Sequence, residues 1–189
     1  MNKTKAKIIE AFLKEISGNG YSVATMDDIA SNAGVAKGTL YYHFKSKEEM
    51  FKYCVFEGLN SIKEKIQTNI EEEDDESLKL RALCESHFDA VKENKELVKI
   101  IISQLGGSEI RHIELRKLMK EYIEFIETYI IRWMEVKLIK KGDSYLMAYN
   151  IIGILFSNSL YQVLNDKEFS EADIDNFVDY ILGGISVKE

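Results

Sequence analysis

Residues 36–47 bring together side chains that can donate hydrogen bonds or stack. The segment runs Ala-Lys-Gly-Thr-Leu-Tyr-Tyr-His-Phe-Lys-Ser-Lys and contains three lysines and no acid. Ammonium groups, tyrosine hydroxyls and the free amides at a helix N-terminus all suit phosphate oxygens. A glycine inside a helix costs about 1 kcal/mol relative to alanine, so Gly38 indicates close approach of another molecule to the backbone. Core packing is the ordinary interpretation of a pair such as Tyr41 and Tyr42, but the flanking residues favour nucleic-acid contact here.

The remaining histidines and the cysteines offer little further chemistry. Glu109-Ile-Arg-His112 has the Glu-x-x-His spacing of a di-iron bundle, but such a site needs a second copy and two more glutamates, and no second copy is present. Nucleophile-elbow, phosphate-loop and dinucleotide motifs are also missing from the sequence. Cys54 and Cys84 lie in apolar helical settings and are expected to be inert, with a redox switch as the alternative. We expect no metal, no cofactor and no enzymatic activity.

Composition places the chain among ordinary folded proteins. Its 189 residues are 46 % hydrophobic and carry a formal net charge of −7, which allows one or two domains with a real core. Two distant cysteines favour a reduced, cytoplasmic setting. Charged residues interrupt the apolar stretch that follows the basic N-terminus, and no run reaches about 18 consecutive apolar residues, so neither a signal peptide nor a membrane helix is expected.

The charge is unevenly distributed along the chain. Residues 1–50 hold seven lysines and six acids, a net of +1, which leaves −8 for the rest of the chain. A globally acidic protein cannot be held on DNA by its overall charge, so only a local basic surface would serve. The two parts are therefore expected to be different modules.

The pattern of apolar residues predicts an all-α protein of about nine helices. The chain has no proline, which leaves long helices uninterrupted, and strand-type alternation is scarce. The acidic run 71–76 predicts a loop because like charges repel, and Gly142 is expected to end the seventh helix. The predicted helices cover residues 3–17, 26–33, 36–43, 46–66, 77–93, 95–105, 109–141, 143–165 and 171–182.

The second and third predicted helices have the proportions of a helix-turn-helix. Gly34 stands where a left-handed turn residue is wanted, between two short helices. Thr25 and Asp28 form a capping-box variant at the start of the first of them. Ala30 is small enough for a close helix crossing, and Leu40 can fill the space beside it.

Residues 25–47, Thr-Met-Asp-Asp-Ile-Ala-Ser-Asn-Ala-Gly-Val-Ala-Lys-Gly-Thr-Leu-Tyr-Tyr-His-Phe-Lys-Ser-Lys, strongly resemble the tetracycline-repressor (TetR) family of bacterial transcriptional regulators. The match spans about residues 4–56, while the rest of the chain agrees in helix count and length. The resemblance implies a helix-turn-helix DNA-binding domain over 1–46 and a larger helical ligand-binding and dimerisation domain over 47–189.

The resemblance also implies the contacts with double-stranded DNA. The third helix would lie in the major groove of a palindromic operator, with Thr25 and Lys47 on phosphates. Ala36 departs from the family, which often has serine there, so a hydroxyl contact and a helix cap are missing. The implied DNA-binding residues are Thr25, Ala36, Lys37, Gly38, Thr39, Tyr41, Tyr42, His43 and Lys47.

The last two predicted helices favour a homodimer. Helix 143–165 is apolar nearly all round, so it must be buried on two sides, and the core of one chain covers only one. Helix 171–182 has one continuous apolar face. A twofold four-helix interface between two chains would cover both, whereas a central position in a single chain is the alternative.

Aromatic residues in the second half could line a pocket for a small-molecule effector of unknown identity. Ordinary core packing is the alternative for any one of them. The candidates are Phe88, Tyr122, Phe125, Tyr129, Trp133 and Tyr149.

The sequence therefore predicts a homodimeric repressor that a small molecule releases from its operator. The alternatives are a helical small-molecule-binding protein without specific DNA binding, a ligand-dependent activator of the same fold, and a bundle enzyme with a metal in its core.

Overall fold

The computed structural model describes residues 2–104 and 110–185, without the side chains of residues 110, 111 and 185. These residues form nine α-helices, which confirms the all-α fold, and no helix among them is long and apolar enough to cross a membrane. The helices are α1 (Lys3–Asn19), α2 (Met26–Asn32), α3 (Lys37–His43), α4 (Lys47–Glu71), α5 (Glu76–Glu93), α6 (Lys95–Gln104), α7 (Ile110–Glu135), α8 (Ser144–Asn165) and α9 (Glu171–Ile185).

The chain divides into two compact units. The first comprises Met1–Gly58 and Asn94–Leu118, and the second comprises Leu59–Glu93 and Met119–Glu189. Helix α6 belongs to the first unit because it packs on α1 and against α4 at Gly58, where a Cβ atom would collide with the side chain of Leu97. The functional division after residue 46 stays a prediction, since compactness groups helices by packing rather than by role.

Local capping explains where two helices of the first unit, α2 and α4, begin. Thr25 and Asp28 form the predicted capping box of α2, each side chain accepting a hydrogen bond from the backbone amide of the other. At the start of α4 the Ser46 hydroxyl accepts from the Glu49 amide at 3.2 Å. The Glu49 carboxylate accepts from the amide of Lys45, one residue earlier than a capping box requires.

Helix α7 ends six residues before the predicted end at residue 141. Its last turn closes with hydrogen bonds from the Leu138 amide to the Trp133 carbonyl and from the Lys137 amide to the Met134 carbonyl. Lys137 adopts a φ of 63° in the position that glycine usually takes in this motif. The buried Ile139 anchors the chain just beyond it. Gly142 therefore does not end the helix, and the prediction was wrong there.

One other loop lies near its predicted place. The acidic run is a loop only over residues 72–75, because α4 extends to Glu71 and α5 begins at Glu76. The predicted end of the sixth helix, at residue 105, lies outside the described residues.

Candidate DNA-binding site and ligand domain

Helices α2 and α3 form a compact helix-turn-helix. Ile29, Ala30 and Leu40 are buried, and the sequence predicts Ala30 and Leu40 at the crossing of the two helices. The turn depends on Gly34, whose φ of 65° is a conformation that glycine adopts without strain. After it, the Val35 amide donates to the Ala30 carbonyl at 3.1 Å. The turn thus holds α3 with one face in the core and the opposite face outward.

Helix α1 fixes the orientation of α2 through one carboxylate. The two oxygens of Glu15 accept hydrogen bonds of 2.6 Å from the side-chain amides of Asn19 and Asn32. Asn32 is the last residue of α2, so this bridge joins the C-terminal ends of the two helices. Charge-assisted bonds of this kind are stronger than neutral ones.

The outward face of α3 collects most of the residues predicted to contact DNA. Tyr42 is 79 % exposed, and its ring lies edge-on to His43 with 5.3 Å between centroids. Tyr41 is exposed, whereas Thr39 and His43 are half-buried. The first turn of the helix, residues 36–38, is exposed throughout.

The structure of the first unit gives no reason for a glycine at position 38. An added Cβ would meet no atom within 4 Å, and φ is not positive at this residue. Neither packing nor backbone conformation requires a glycine, although one in a helix is unfavourable by about 1 kcal/mol. Close approach of an external molecule would explain it.

The N-terminus of α3 lacks a side-chain cap. Ala36 is the N-cap residue, and its methyl group makes no hydrogen bond, as the departure from the family pattern predicts. The free amides of this first turn are the groups that suit a phosphate.

Lys37 is paired with an acid of the preceding helix. Its ammonium lies 2.7 Å from Oδ1 and 2.8 Å from Oδ2 of Asp27, and both side chains are exposed. The hydrogen bond to Asp27 is the main cause that raises the pKa of Lys37. The sequence does not predict this pair, because it joins residues of two helices across the turn.

Lys47 and Thr25 make internal contacts besides the phosphate contacts predicted for them. The Lys47 ammonium donates to the backbone carbonyls of Tyr21 and Ala24, both at 2.5 Å, and lies 4.7 Å from the Tyr21 ring centroid. The Thr25 hydroxyl donates to the Asp28 carboxylate. Lys47 thus stabilises the turn that leads into α2, and the phosphate contacts of both residues stay predictions.

In the second unit, four of the six candidate ligand residues form a continuous row along α7. Neighbouring ring centroids are 6.2 Å apart for Tyr122–Phe125, 5.4 Å for Phe125–Tyr129 and 6.1 Å for Tyr129–Trp133. Tyr122 and Trp133 are fully buried, and the indole Nε1 of Trp133 has no hydrogen-bond partner among the described residues.

The other two candidates lie elsewhere in the second unit. Phe88 is buried in a separate cluster, with its ring centroid 4.8 Å from that of Phe169 and 5.1 Å from that of Phe177. Tyr149 is 56 % exposed and lies beside the buried face of α8 rather than within it. The structure therefore does not bring Tyr149 into the interior, because helical spacing turns it away from the core.

A buried polar chain at His87 joins α5, α7 and α8. The Ser159 hydroxyl donates to the Leu155 carbonyl at 2.8 Å, so its oxygen accepts from Nε2 of His87 at 3.0 Å. Nδ1 of His87 then accepts from the Tyr122 hydroxyl at 3.2 Å. Burial lowers the pKa of His87 to about 4, so the ring is neutral. Each of the three side chains, Tyr122, His87 and Ser159, then donates one hydrogen bond to an acceptor.

The two cysteines and the histidine of the Glu-x-x-His pattern show no reactive or metal-binding arrangement among the described residues. Burial raises the pKa of Cys54 and of Cys84 to about 12, which disfavours the reactive thiolate. Nδ1 of His112 lies 2.6 Å from the Gln104 carbonyl oxygen, whereas Glu109 lies outside the described residues. No group of three or more potential metal ligands occurs in the described part of the chain.

Within one chain, α8 and α9 leave an apolar surface uncovered. Leu146, Tyr149 and Leu164 of α8 are 55–73 % exposed, and Tyr180 of α9 is 72 % exposed. A groove between the two helices is lined mainly by apolar side chains, including Met147, Ile151, Ile154 and Ile181. Helix α8 is thus buried on one side only, as the argument for a second chain requires.

A helix-turn-helix whose second helix faces outward with exposed polar and aromatic side chains, joined to a larger helical unit, defines the class of DNA-binding regulators with a sensor domain. Comparison with protein families gives the same class. The model of the bacterial regulatory proteins of the tetR family matches residues 8–54, and that of the YsiA-like protein C-terminal region matches residues 56–182. The chain belongs to the tetR family of bacterial transcriptional regulators, with a C-terminal region of the YsiA-like type.

Similar proteins cover nearly the whole chain. A Clostridium perfringens protein, provisionally titled a fatty acid metabolism regulator, is 43 % identical, with a TM-score of 0.85 over 96 % of this chain and all of that one. The Bacillus subtilis fatty acid metabolism regulator protein is 28 % identical over 186 residues, 96 % of this chain and 95 % of the relative. The Bacillus subtilis regulator FadR, solved in complex with stearoyl-CoA, is 25 % identical in sequence. Its structure has a TM-score of 0.79, and the match covers 95 % of this chain and 96 % of that one.

Proposed function

We propose that this protein is a cytoplasmic, non-catalytic repressor of fatty acid metabolism genes. As a homodimer it binds a palindromic operator, and a long-chain acyl-CoA releases it. The observation that carries the proposal is the similarity over nearly the full chain, in both units, to proteins titled fatty acid metabolism regulators. The stearoyl-CoA bound in one of the similar structures supports the class of effector.

The first unit supports the DNA-binding part of the proposal. The exposed face of α3 offers the Lys37 ammonium, the Tyr42 hydroxyl and, at Gly38, a bare stretch of backbone. One such helix contacts few base pairs, so two copies on a palindrome are needed for specificity. The uncovered apolar surface of α8 and α9 suits the pairing of two chains.

The second unit supports an apolar effector. The aromatic row of α7 and the Phe88 cluster provide an apolar interior, and the polar groups at His87 are already satisfied by one another. Each buried methylene of an acyl chain contributes about 0.8 kcal/mol, or about fourfold in affinity. Release requires only that the ligand prefer the conformation that binds DNA poorly.

Binding of the purified protein to DNA upstream of fatty acid metabolism genes tests the proposal. We expect a footprint over a palindrome that fades with salt and is lost on adding acyl-CoA, with potency rising with acyl length. Coenzyme A without an acyl chain is the control and should leave the footprint intact. Protection that is insensitive to every acyl-CoA would contradict the effector, and no protection of any palindrome would contradict the repressor.

Tyr42→Ala and Tyr42→Phe test the assignment of α3. We expect Tyr42→Ala to weaken operator binding while the dimer persists in sedimentation, because the side chain is exposed and supports no core. Tyr42→Phe retains the ring and removes the hydroxyl, so it separates stacking from hydrogen bonding. If Tyr42→Ala instead dissociates the dimer, the tyrosine has been assigned to the wrong surface.

A further inference from the structure

Asp27 introduces a negative charge into the first turn of α2, beside the helix proposed to contact DNA. The capping box of α2 uses Thr25 and Asp28, so capping does not explain Asp27. Its carboxylate instead holds the Lys37 ammonium with both oxygens, at 2.7 and 2.8 Å. A carboxylate in the first turn of a helix is favourable to the helix dipole, but near phosphates it weakens DNA binding, so its pairing with Lys37 bears on how α3 binds DNA.

We infer that Asp27 is a specificity-determining residue, which weakens binding to arbitrary DNA more than binding to the operator by holding the Lys37 ammonium. The inference rests on the proposed DNA-binding function. It makes Asp27 a positioning residue, because it acts through Lys37 rather than by contact with a base.

The geometry allows Lys37 to keep its partner while it contacts a base. An ammonium has three N–H donors, and Asp27 accepts one of them in the hydrogen bond to its Oδ2, which leaves donors for an acceptor on a base edge. Guanine offers such acceptors, O6 and N7, in the major groove. The pair also restricts a flexible four-carbon side chain, so less rotamer entropy is lost when the base contact forms.

The same pair penalises binding to arbitrary sequences. Non-specific binding depends almost entirely on phosphate neutralisation, and a lysine paired with a carboxylate adds almost no net charge to the surface. The two side chains are 61 % and 62 % exposed, so water screens the carboxylate and its penalty is modest. The repulsion between two unit charges about 4 Å apart in water, such as a carboxylate and a phosphate, corresponds to about a fivefold change in DNA affinity.

Titrations of full-length dimer with an operator duplex and a random-sequence duplex, at several salt concentrations, test the inference. We expect Asp27→Asn to tighten binding to the random duplex about fivefold per head and to steepen its salt dependence by about one counterion per head. Binding to the operator should change less, so the ratio of the two affinities should fall. Asp27→Glu retains the charge and should restore the ratio.

Two further variants separate the pair from simpler explanations. Asp74→Asn makes the same change in net charge in the exposed loop between α4 and α5 and should leave the ratio unchanged. In a Lys37→Met background, Asp27→Asn should still tighten binding to both duplexes, because it removes a negative charge, but it should leave the ratio of the two affinities unchanged, because the ammonium that Asp27 positions is gone. Unchanged melting temperatures establish that each variant is folded.

The outcomes distinguish this inference from the function on which it rests. If the wild type discriminates the operator and Asp27→Asn discriminates equally well, the inference is wrong and the proposed function stands. An equal effect of Asp74→Asn would also overturn it, because net charge alone would then suffice. A wild type that prefers no operator would overturn both.

Discussion

Replacement of Gly38 by alanine is expected to stabilise the protein and weaken its binding to DNA. Gly38 lies inside α3 with ordinary helical φ and with no atom within 4 Å of an added Cβ. Alanine should therefore fit without strain and stabilise the helix by about 0.5–1 kcal/mol. For a chain of this length, that corresponds to a rise of about 1–4 °C in melting temperature.

The same methyl group would occupy the space into which the DNA backbone or a base edge approaches. Overpacking a close contact costs about 1–3 kcal/mol, so operator affinity should fall about 5- to 150-fold. Melting temperature at fixed protein concentration and fluorescence anisotropy with a labelled operator measure the two effects separately. Opposite signs are the expected result, because a glycine with no part in DNA contact would change the melting temperature without lowering operator affinity.

Two other glycines serve as matched controls. Gly18 lies in α1, and an added Cβ there would also meet no atom within 4 Å. Gly18→Ala should therefore raise the melting temperature and leave operator affinity unchanged. Gly58→Ala places a methyl against Leu97, so it should lower the melting temperature. If Gly38→Ala binds the operator as tightly as Gly18→Ala does, the close-approach argument is refuted.

Three further predictions concern stability. Ala36→Ser adds the missing cap of α3 and should raise the free energy of unfolding by about 0.5–1 kcal/mol in denaturant titration; no gain would mean that the serine hydroxyl does not cap α3. Lys47→Met leaves the carbonyls of Tyr21 and Ala24 without their ammonium donor and should lower the free energy of unfolding by about 1–3 kcal/mol. Unchanged stability would mean that Lys47 does not stabilise the fold. The folded-state pKa of His87 is depressed to about 4 from 6.5, so its contribution is complete above pH 6.5 and is lost as the pH falls towards 4. The wild type should therefore lose about 2 kcal/mol more than His87→Gln between pH 7 and pH 5, and equal losses would argue against a buried neutral imidazole.

The helix-turn-helix could be predicted because its determinants are local in sequence. Thr25 and Asp28 are three residues apart, and Gly34 alone specifies the turn. The apolar residues that join α2 and α3 also lie within a few positions of the turn. Each of these signals acts within about one helical turn, which a single sequence displays directly.

What was not predicted depends on residues distant in sequence or on unusual backbone. Ser159 lies 72 residues from His87, and nothing in the local pattern of either one indicates the other. Lys47 reaches back 26 residues to the Tyr21 carbonyl. At the end of α7, Lys137 adopts the left-handed conformation that a glycine adopts at Gly34. Because a lysine does not indicate this conformation, the sequence does not show where the helix ends.

The position of the indole in the aromatic row of α7 gives the protein a natural optical reporter. Trp133 is the only tryptophan of the chain; it is fully buried in the second unit, with the Tyr129 ring 6.1 Å away. Its emission therefore reports on the interior of that unit, where the indole Nε1–H has no hydrogen-bond partner among the described residues. Because residues 1–58 contain no tryptophan, effector titrations can be followed by intrinsic fluorescence without a label and without a signal from the DNA-binding surface.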